Sequence, residues 1–98
     1  MRYQQIAVYI LASKRNGTLY IGVTSYLIKR IHEHREHSVE GFSKNYDVTQ
    51  LVYYELHATM DSAIHREKRL KKYTRLQKIR LIEKENPSWN DLWEEITR

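Results

Sequence analysis

Two runs rich in β-branched and aromatic residues, Ile6 to Ala12 and Thr18 to Val23, flank the pair Asn16-Gly17. This arrangement commits the first quarter of the chain to a β-hairpin, because such side chains favour extended backbone and Asn-Gly accepts the dihedral angles of a tight turn. If the pair forms a two-residue turn, Arg15 faces Thr18 and Leu11 faces Gly22, and Tyr9, Leu11, Tyr20 and Gly22 project from one face. The two tyrosines would then flank a gap left by the glycine. On these residues alone the plain reading is two strand aromatics packed on a core.

The hairpin needs partners, and the following segments supply them. Thr24 or Ser25 caps a predicted helix running to about His37, with Leu27, Ile28 and Ile31 as its apolar stripe. Arg30 and His34 stand one turn apart at the edge of that stripe, so both can lean toward the tyrosines. This spacing would suit two metal ligands, but arginine is never one, so zinc is rejected. Ser38 to Tyr46 has no clear period and reads as a loop that can close over a ligand. Thr49 to Leu56 alternates as a third strand, with Leu51, Tyr53 and Glu55 on one side and Val52, Tyr54 and Leu56 on the other. Helices are then expected from Asp61, read as the cap, to about Tyr73, and from Arg75 to Glu85 behind Thr74. A short closing helix carries Trp89, Leu92, Trp93 and Ile96. The fold class is α+β: a small three-stranded sheet flanked by helices in the order β-β-α-β-α-α with a short C-terminal helix, over a single domain spanning residues 1–98.

Within the second helix the apolar positions Met60, Ala63, Ile64 and Leu70 straddle Glu67. A lone charged carboxylate on a buried face costs several kcal/mol, so it must be paired, bind a cation or be neutral. A salt bridge to Lys71, at i+4, is the structural alternative, worth about 0.3–0.5 kcal/mol on a helix surface.

Charge is segregated along the chain. The formal net charge is +5, and Arg66 to Arg80 holds eight basic residues against one acid, Glu67 itself, whereas Glu83 to Glu95 is acidic with only Lys84 opposing. A basic chain favours a polyanionic partner. Cysteine is absent, which removes disulfides, thiolate catalysis and sulfur-ligated zinc together. No apolar run approaches the roughly 20 residues of a spanning helix, and no convincing signal segment is present, so no membrane role and a cytoplasmic location are expected.

A hairpin with two tyrosines and a glycine, an Arg-x-x-x-His helix and a carboxylate on the buried face of a second helix, in that order, resemble the GIY-YIG nuclease superfamily. The superfamily is known from homing endonucleases, repair excision endonucleases and structure-selective resolvases, and the chain looks most like its small one-domain bacterial members. Tyr20-Ile21-Gly22 is the second half of the family motif. Ala7-Val8-Tyr9 replaces Gly-Ile-Tyr and keeps the tyrosine. Arg30 with His34 matches the helix signature, Glu67 matches the metal-binding glutamate, and Asn86 is a looser match to a late asparagine of the family.

The resemblance implies phosphodiester hydrolysis in DNA assisted by one divalent cation, Mg²⁺ or Mn²⁺, held by Glu67. Arg30 would clamp the nonbridging oxygens, and Tyr9 would be the general base with Tyr20 orienting water or phosphate. His34 is an alternative proton relay. The Tyr9 phenol, ordinarily near pKa 10, would have to be lowered by Arg30 and the metal. Gly22 would leave room for a phosphate, and Lys44, Arg66, Lys68, Lys71 and Lys72 would contact the backbone, giving salt-dependent binding largely indifferent to sequence. Tyr53, Tyr54, Trp89 and Trp93 can stack on bases, although core packing is the commoner use. Two rivals stand beside this reading. One is a non-cleaving nucleic-acid-binding module of the same fold, and the other is a protein-interaction adaptor acting through the acidic C-terminal segment.

Overall fold

A computed structural model of the chain describes residues 5–36 and 47–98. Strands β1 (Ala7–Ala12), β2 (Leu19–Thr24) and β3 (Gln50–Leu56) form an antiparallel sheet in the order β2-β1-β3. Helix α1 (Leu27–Arg35) lies between β2 and β3 in sequence, and α2 (Met60–Lys71), α3 (Arg75–Glu85) and α4 (Trp93–Thr97) follow. No helix among the described residues is long and apolar enough to cross a membrane. The expected loop at Ser38 to Tyr46, with Lys44, lies outside the described residues.

The hairpin forms, but its register differs by two residues from that of a two-residue turn. Tyr9 pairs with Gly22 and Leu11 with Tyr20, and the connection is a longer turn closed by the Gly17 N–H donating to the Lys14 carbonyl at 2.9 Å. Asn16 takes φ 57° within it, the left-handed conformation asparagine tolerates. Arg75 Nη2 donates to the carbonyls of Asn16 and Gly17 at 2.6 and 2.7 Å, so the start of α3 holds this turn. A slip of two preserves the side-chain phase. Tyr9, Leu11, Tyr20 and Gly22 therefore still share a face.

In β3 the expected alternation breaks. Ile10 pairs with Tyr53 but Leu11 pairs with Leu51, so Val52 is an extra, bulged residue. Past the bulge the phase inverts. Leu51 and Tyr54 join the face of Tyr9, while Val52 and Tyr53 join the opposite one.

Each face is covered by helices. Ala7, Tyr9, Leu11 and Leu51 pack on Leu27 and Ile31 of α1, with Leu92, Trp93 and Ile96 from the C-terminal segment. Val8, Ile10, Ala12, Ile21 and Val52 pack on Ala63 and Leu70 of α2, on Ile82 of α3 and on Trp89.

The caps refine the predicted boundaries. Helix α1 starts at Leu27 rather than directly after Thr24, because the Thr24 hydroxyl accepts the Tyr26 N–H in a local turn. Its Ile28 N–H is taken instead by Oε1 of Gln5, a cap from 23 residues away. Helix α2 is capped by Thr59, whose hydroxyl accepts the Ser62 N–H, and Asp61 sits in its first turn. Helix α3 has the expected Thr74 cap, extended to a capping box with Gln77. Trp89 precedes the closing helix; it is buried at φ 56° and donates from Nε1 to Glu83. Asn86 is pinned away from the tyrosine face, its Nδ2 donating to the carbonyls of Val52 and Asn90 and its Oδ1 accepting the Asn90 N–H.

Candidate active site

The paired positions Tyr9 and Gly22 form the centre of the site. A Cβ built on Gly22 would stand 2.4 Å from the Tyr9 hydroxyl and 2.5 Å from Cζ, well inside contact distance. The glycine is therefore required by the tyrosine itself. The space that sequence reasoning reserved for a phosphate is filled by the Tyr9 phenol.

That phenol is 1% exposed, and its hydroxyl lies 3.0 Å from Nε2 of His34, which is also 1% exposed. Tyr20 completes a three-ring cluster, with centroids 6.4 Å from Tyr9 and 5.5 Å from His34. The strand pleat presents the tyrosines, and α1 presents His34 because its Leu27–Ile31 stripe docks on the same face.

Burial sets the protonation states. Desolvation, with Arg30 behind it, pushes the His34 imidazole down to about 4, so it is neutral near pH 7. In the tautomer protonated at Nδ1, its Nε2 accepts the Tyr9 proton. Desolvation, followed by the neighbouring Tyr20, pushes the Tyr9 phenol well above its ordinary value; Arg30 acts in the opposite direction but is outweighed. The expected lowering of the Tyr9 pKa by Arg30 is thus present as a force and absent as a net result.

Arg30 and Glu67 come from separate helices, and the charges of both bear on the Tyr9 phenol. Arg30 pairs with Glu33 at 3.5 Å and lines a recess of about 230 Å³ with Thr24, Ser25, Tyr26, Lys29 and Glu33. The Glu67 side chain is only 14% exposed, and its Oε2 meets Lys71 Nζ at 2.9 Å. The structural alternative for this glutamate is therefore realised as a contact, in a more sheltered setting than a free helix surface.

Positions 66 and 67 diverge around the Ala63–Leu70 stripe. Arg66 Nε donates to Glu55 Oε1 at 2.9 Å, and its guanidinium lies over the Tyr73 ring. Glu55 also accepts from the Tyr53 hydroxyl and from His57 Nε2. Desolvation pushes the Glu55 carboxyl up, but these hydrogen bonds and the Arg66 charge outweigh it and hold it below the usual carboxylate value. Arg66, expected on the phosphate backbone, is held by Glu55 and Tyr73. Lys68, Lys71 and Lys72 are exposed. Lys71 also lines a groove of about 310 Å³ with Leu19, Tyr20, Ile21 and Lys78. Lys78 was not singled out from the sequence; its place in this groove distinguishes it from the other cations of its run.

The stacking candidates are placed as well. Trp89 and Tyr53 are buried, and the Tyr54 hydroxyl donates to Glu95. Trp93 stacks with His32 beneath the Arg35 guanidinium.

The donor set bears on the kind of metal that fits. Among the described residues no three His, Asp or Glu side chains converge. A single sheltered carboxylate offers one hard oxygen donor, which suits a cation that keeps most of its waters and does not suit tetrahedral zinc.

A three-stranded antiparallel sheet with helices on both faces, a tyrosine facing a strand glycine with a second tyrosine beside it, and a carboxylate on the packed face of α2 fit a nuclease-type fold. The GIY-YIG catalytic domain matches residues 5–80, and the chain belongs to the GIY-YIG family. Members of this family are generally endonucleases, act on nucleic acid and commonly use divalent metals. Similar proteins include the UPF0213 proteins of Staphylococcus aureus strains Mu3, Mu50 and N315. Each is 35% identical over 75 residues, covering 76% of this chain and 90% of the relative. No solved structure matches the chain significantly.

Proposed function

We propose that this protein is an endonuclease that hydrolyses phosphodiester bonds in DNA with one divalent cation, Mg²⁺ or Mn²⁺, selecting strand structure over base sequence. The observation that carries this reading is the Tyr9–His34 hydrogen bond over Gly22, with Arg30 and Glu67 both acting on the same phenol. Few structural roles call for a buried tyrosine, a neutral histidine, a guanidinium and a sheltered carboxylate together.

Arg30 takes the nonbridging phosphate oxygens, exchanging Glu33 for a partner on which negative charge grows in the transition state. Water attacks phosphorus and passes a proton to the Tyr9 oxygen, while the Tyr9 proton moves to His34 Nε2. The bond from phosphorus to the 3′-oxygen breaks; that oxygen takes a proton from solvent water to leave as a 3′-hydroxyl, the other fragment keeps a 5′-phosphate, and His34 returns its proton to solvent through Tyr9. A relay through a neutral phenol avoids the phenolate that burial makes costly. Charge on Arg30 is among the causes that weaken His34 as a base, and a bound phosphate offsets it, so substrate itself makes the imidazole a better proton acceptor. Glu67 would hold the cation, which when bound supplies Lewis-acid stabilisation of the leaving oxygen. Tyr20 borders both the ring cluster and the basic groove, which suits it to orient the incoming strand.

The test is cleavage of a panel of branched, single-stranded and duplex DNA with Mg²⁺ or Mn²⁺. Wild type should nick at least one substrate, and Glu67→Ala and Arg30→Ala should abolish nicking while remaining folded. A wild type that binds the panel and cuts none of it would instead favour the non-cleaving module, a reading supported by the Glu67–Lys71 ion pair.

A further inference from the structure

Lys71 stands between two features of the molecule. Its Nζ is 2.9 Å from Glu67 Oε2, yet its side chain is 56% exposed, and it forms one wall of the groove along the free edge of β2. Lys78 lines the same groove, and Tyr20 joins it to the Tyr9–His34 cluster. An exposed ammonium on a four-carbon stem reorients at little cost. A phosphate entering the groove would meet two lysines, one of them already committed to the carboxylate.

We infer that Lys71 exchanges between Glu67 and a nucleic-acid phosphate seated in the β2-edge groove beside Lys78, so that nucleic-acid binding frees Glu67 for the cation. In the free protein the ammonium occupies one Glu67 oxygen and repels an approaching divalent ion. Once a backbone phosphate neutralises Lys71, the carboxylate faces the cation uncovered. Coupling between two ligands is reciprocal, so the cation also tightens nucleic-acid binding, by the same factor. This inference rests on the reading of Glu67 as the cation ligand.

The test measures Mn²⁺ binding directly, by the electron paramagnetic resonance signal of free Mn²⁺, with and without a cleavage-resistant phosphorothioate oligothymidine. Glu67→Gln defines the component that depends on the carboxylate. Lys71→Gln should raise the affinity of the free protein for Mn²⁺ roughly three- to tenfold, the scale expected for removing one partly screened charge beside a divalent ion. It should also shrink the gain that the oligonucleotide produces. Lys71→Arg, which keeps a cation on Glu67, should behave as wild type. A Glu67-dependent Mn²⁺ site whose affinity Lys71→Gln leaves unchanged or weakens overturns the inference and leaves the proposed function standing. Absence of any Glu67-dependent Mn²⁺ site, in either protein and with or without the oligonucleotide, overturns both.

Discussion

The Tyr9 hydroxyl lies 3.0 Å from Nε2 of His34, in a space that exists only because residue 22 has no side chain. One hydrogen bond thus joins β1 to α1, and Gly22 on β2 shapes the cavity around it. The same contact supports stability and joins the two groups proposed to move protons, whose protonation states burial sets.

Tyr9→Phe keeps the ring and deletes the hydroxyl. Single-turnover cleavage should fall by about 10²–10⁴-fold, the usual worth of a positioned proton-transfer group. Unfolding free energy should fall by only about 1–3 kcal/mol, because His34 Nε2 is left buried without its partner. Cleavage rate and a urea melt on the same protein separate the two effects.

Gly22→Ala should destabilise the fold by about 1–3 kcal/mol through overpacking. The clash is with the outer end of a side chain, but Tyr9 is hemmed in by His34 and Tyr20 and has little freedom to yield. In a double-mutant cycle, Tyr9→Ala should make Gly22→Ala markedly less costly. Additive losses from the two substitutions would show that the glycine is needed for another reason.

Stability should depend on His34 with a definite sign. The unfolded imidazole takes up a proton near its ordinary pKa of 6.5, whereas the folded one resists protonation down to about 4. The unfolded state therefore binds more protons in that window, and stability falls as pH drops through it, by up to about 3 kcal/mol. Denaturant midpoints between pH 7 and 4 should show the slope, and His34→Gln should flatten it. In kinetics, the acid limb of kcat/KM should lie nearer 4 than 6.5, and that of kcat should lie higher, because bound phosphate offsets Arg30.

Arg66 and Lys68 are neighbours in one basic run with different roles. Arg66→Ala should cost about 1–3 kcal/mol of stability, since it breaks a partly buried pair with Glu55, and should leave the salt dependence of DNA binding almost unchanged. Lys68→Ala should leave the melt in place and reduce the slope of log K against log salt by about 1. A large change in that slope from Arg66→Ala would return Arg66 to the phosphate backbone.

Much of this was legible in the chain because it follows from local chemistry. Asn16-Gly17 calls for a turn, Thr74 and Gln77 for a capped helix, and Ala63, Glu67 and Leu70 for a carboxylate on a packed helix face. Even the hairpin's register error did no harm to the shared face, since a shift of two leaves the strand period intact. The β3 bulge has no such immunity. One extra residue inverts the phase, and nothing in Leu51-Val52-Tyr53 announces it, because all three are equally suited to either face.

What the sequence determined by itself was the set of elements and the residue types proposed to hydrolyse a phosphodiester: two strand tyrosines, a strand glycine, an Arg-x-x-x-His pair and a glutamate amid apolar neighbours. Tertiary structure decided which of them meet and in what state. It placed the Tyr9 phenol against Gly22 and His34, turned Arg66 inward to Glu55, set Lys71 on Glu67 and withdrew Asn86 to the edge of β3. The physical reason is that these outcomes depend on desolvation and on contacts between residues far apart in the chain. Neither is encoded in the spacing of any one segment.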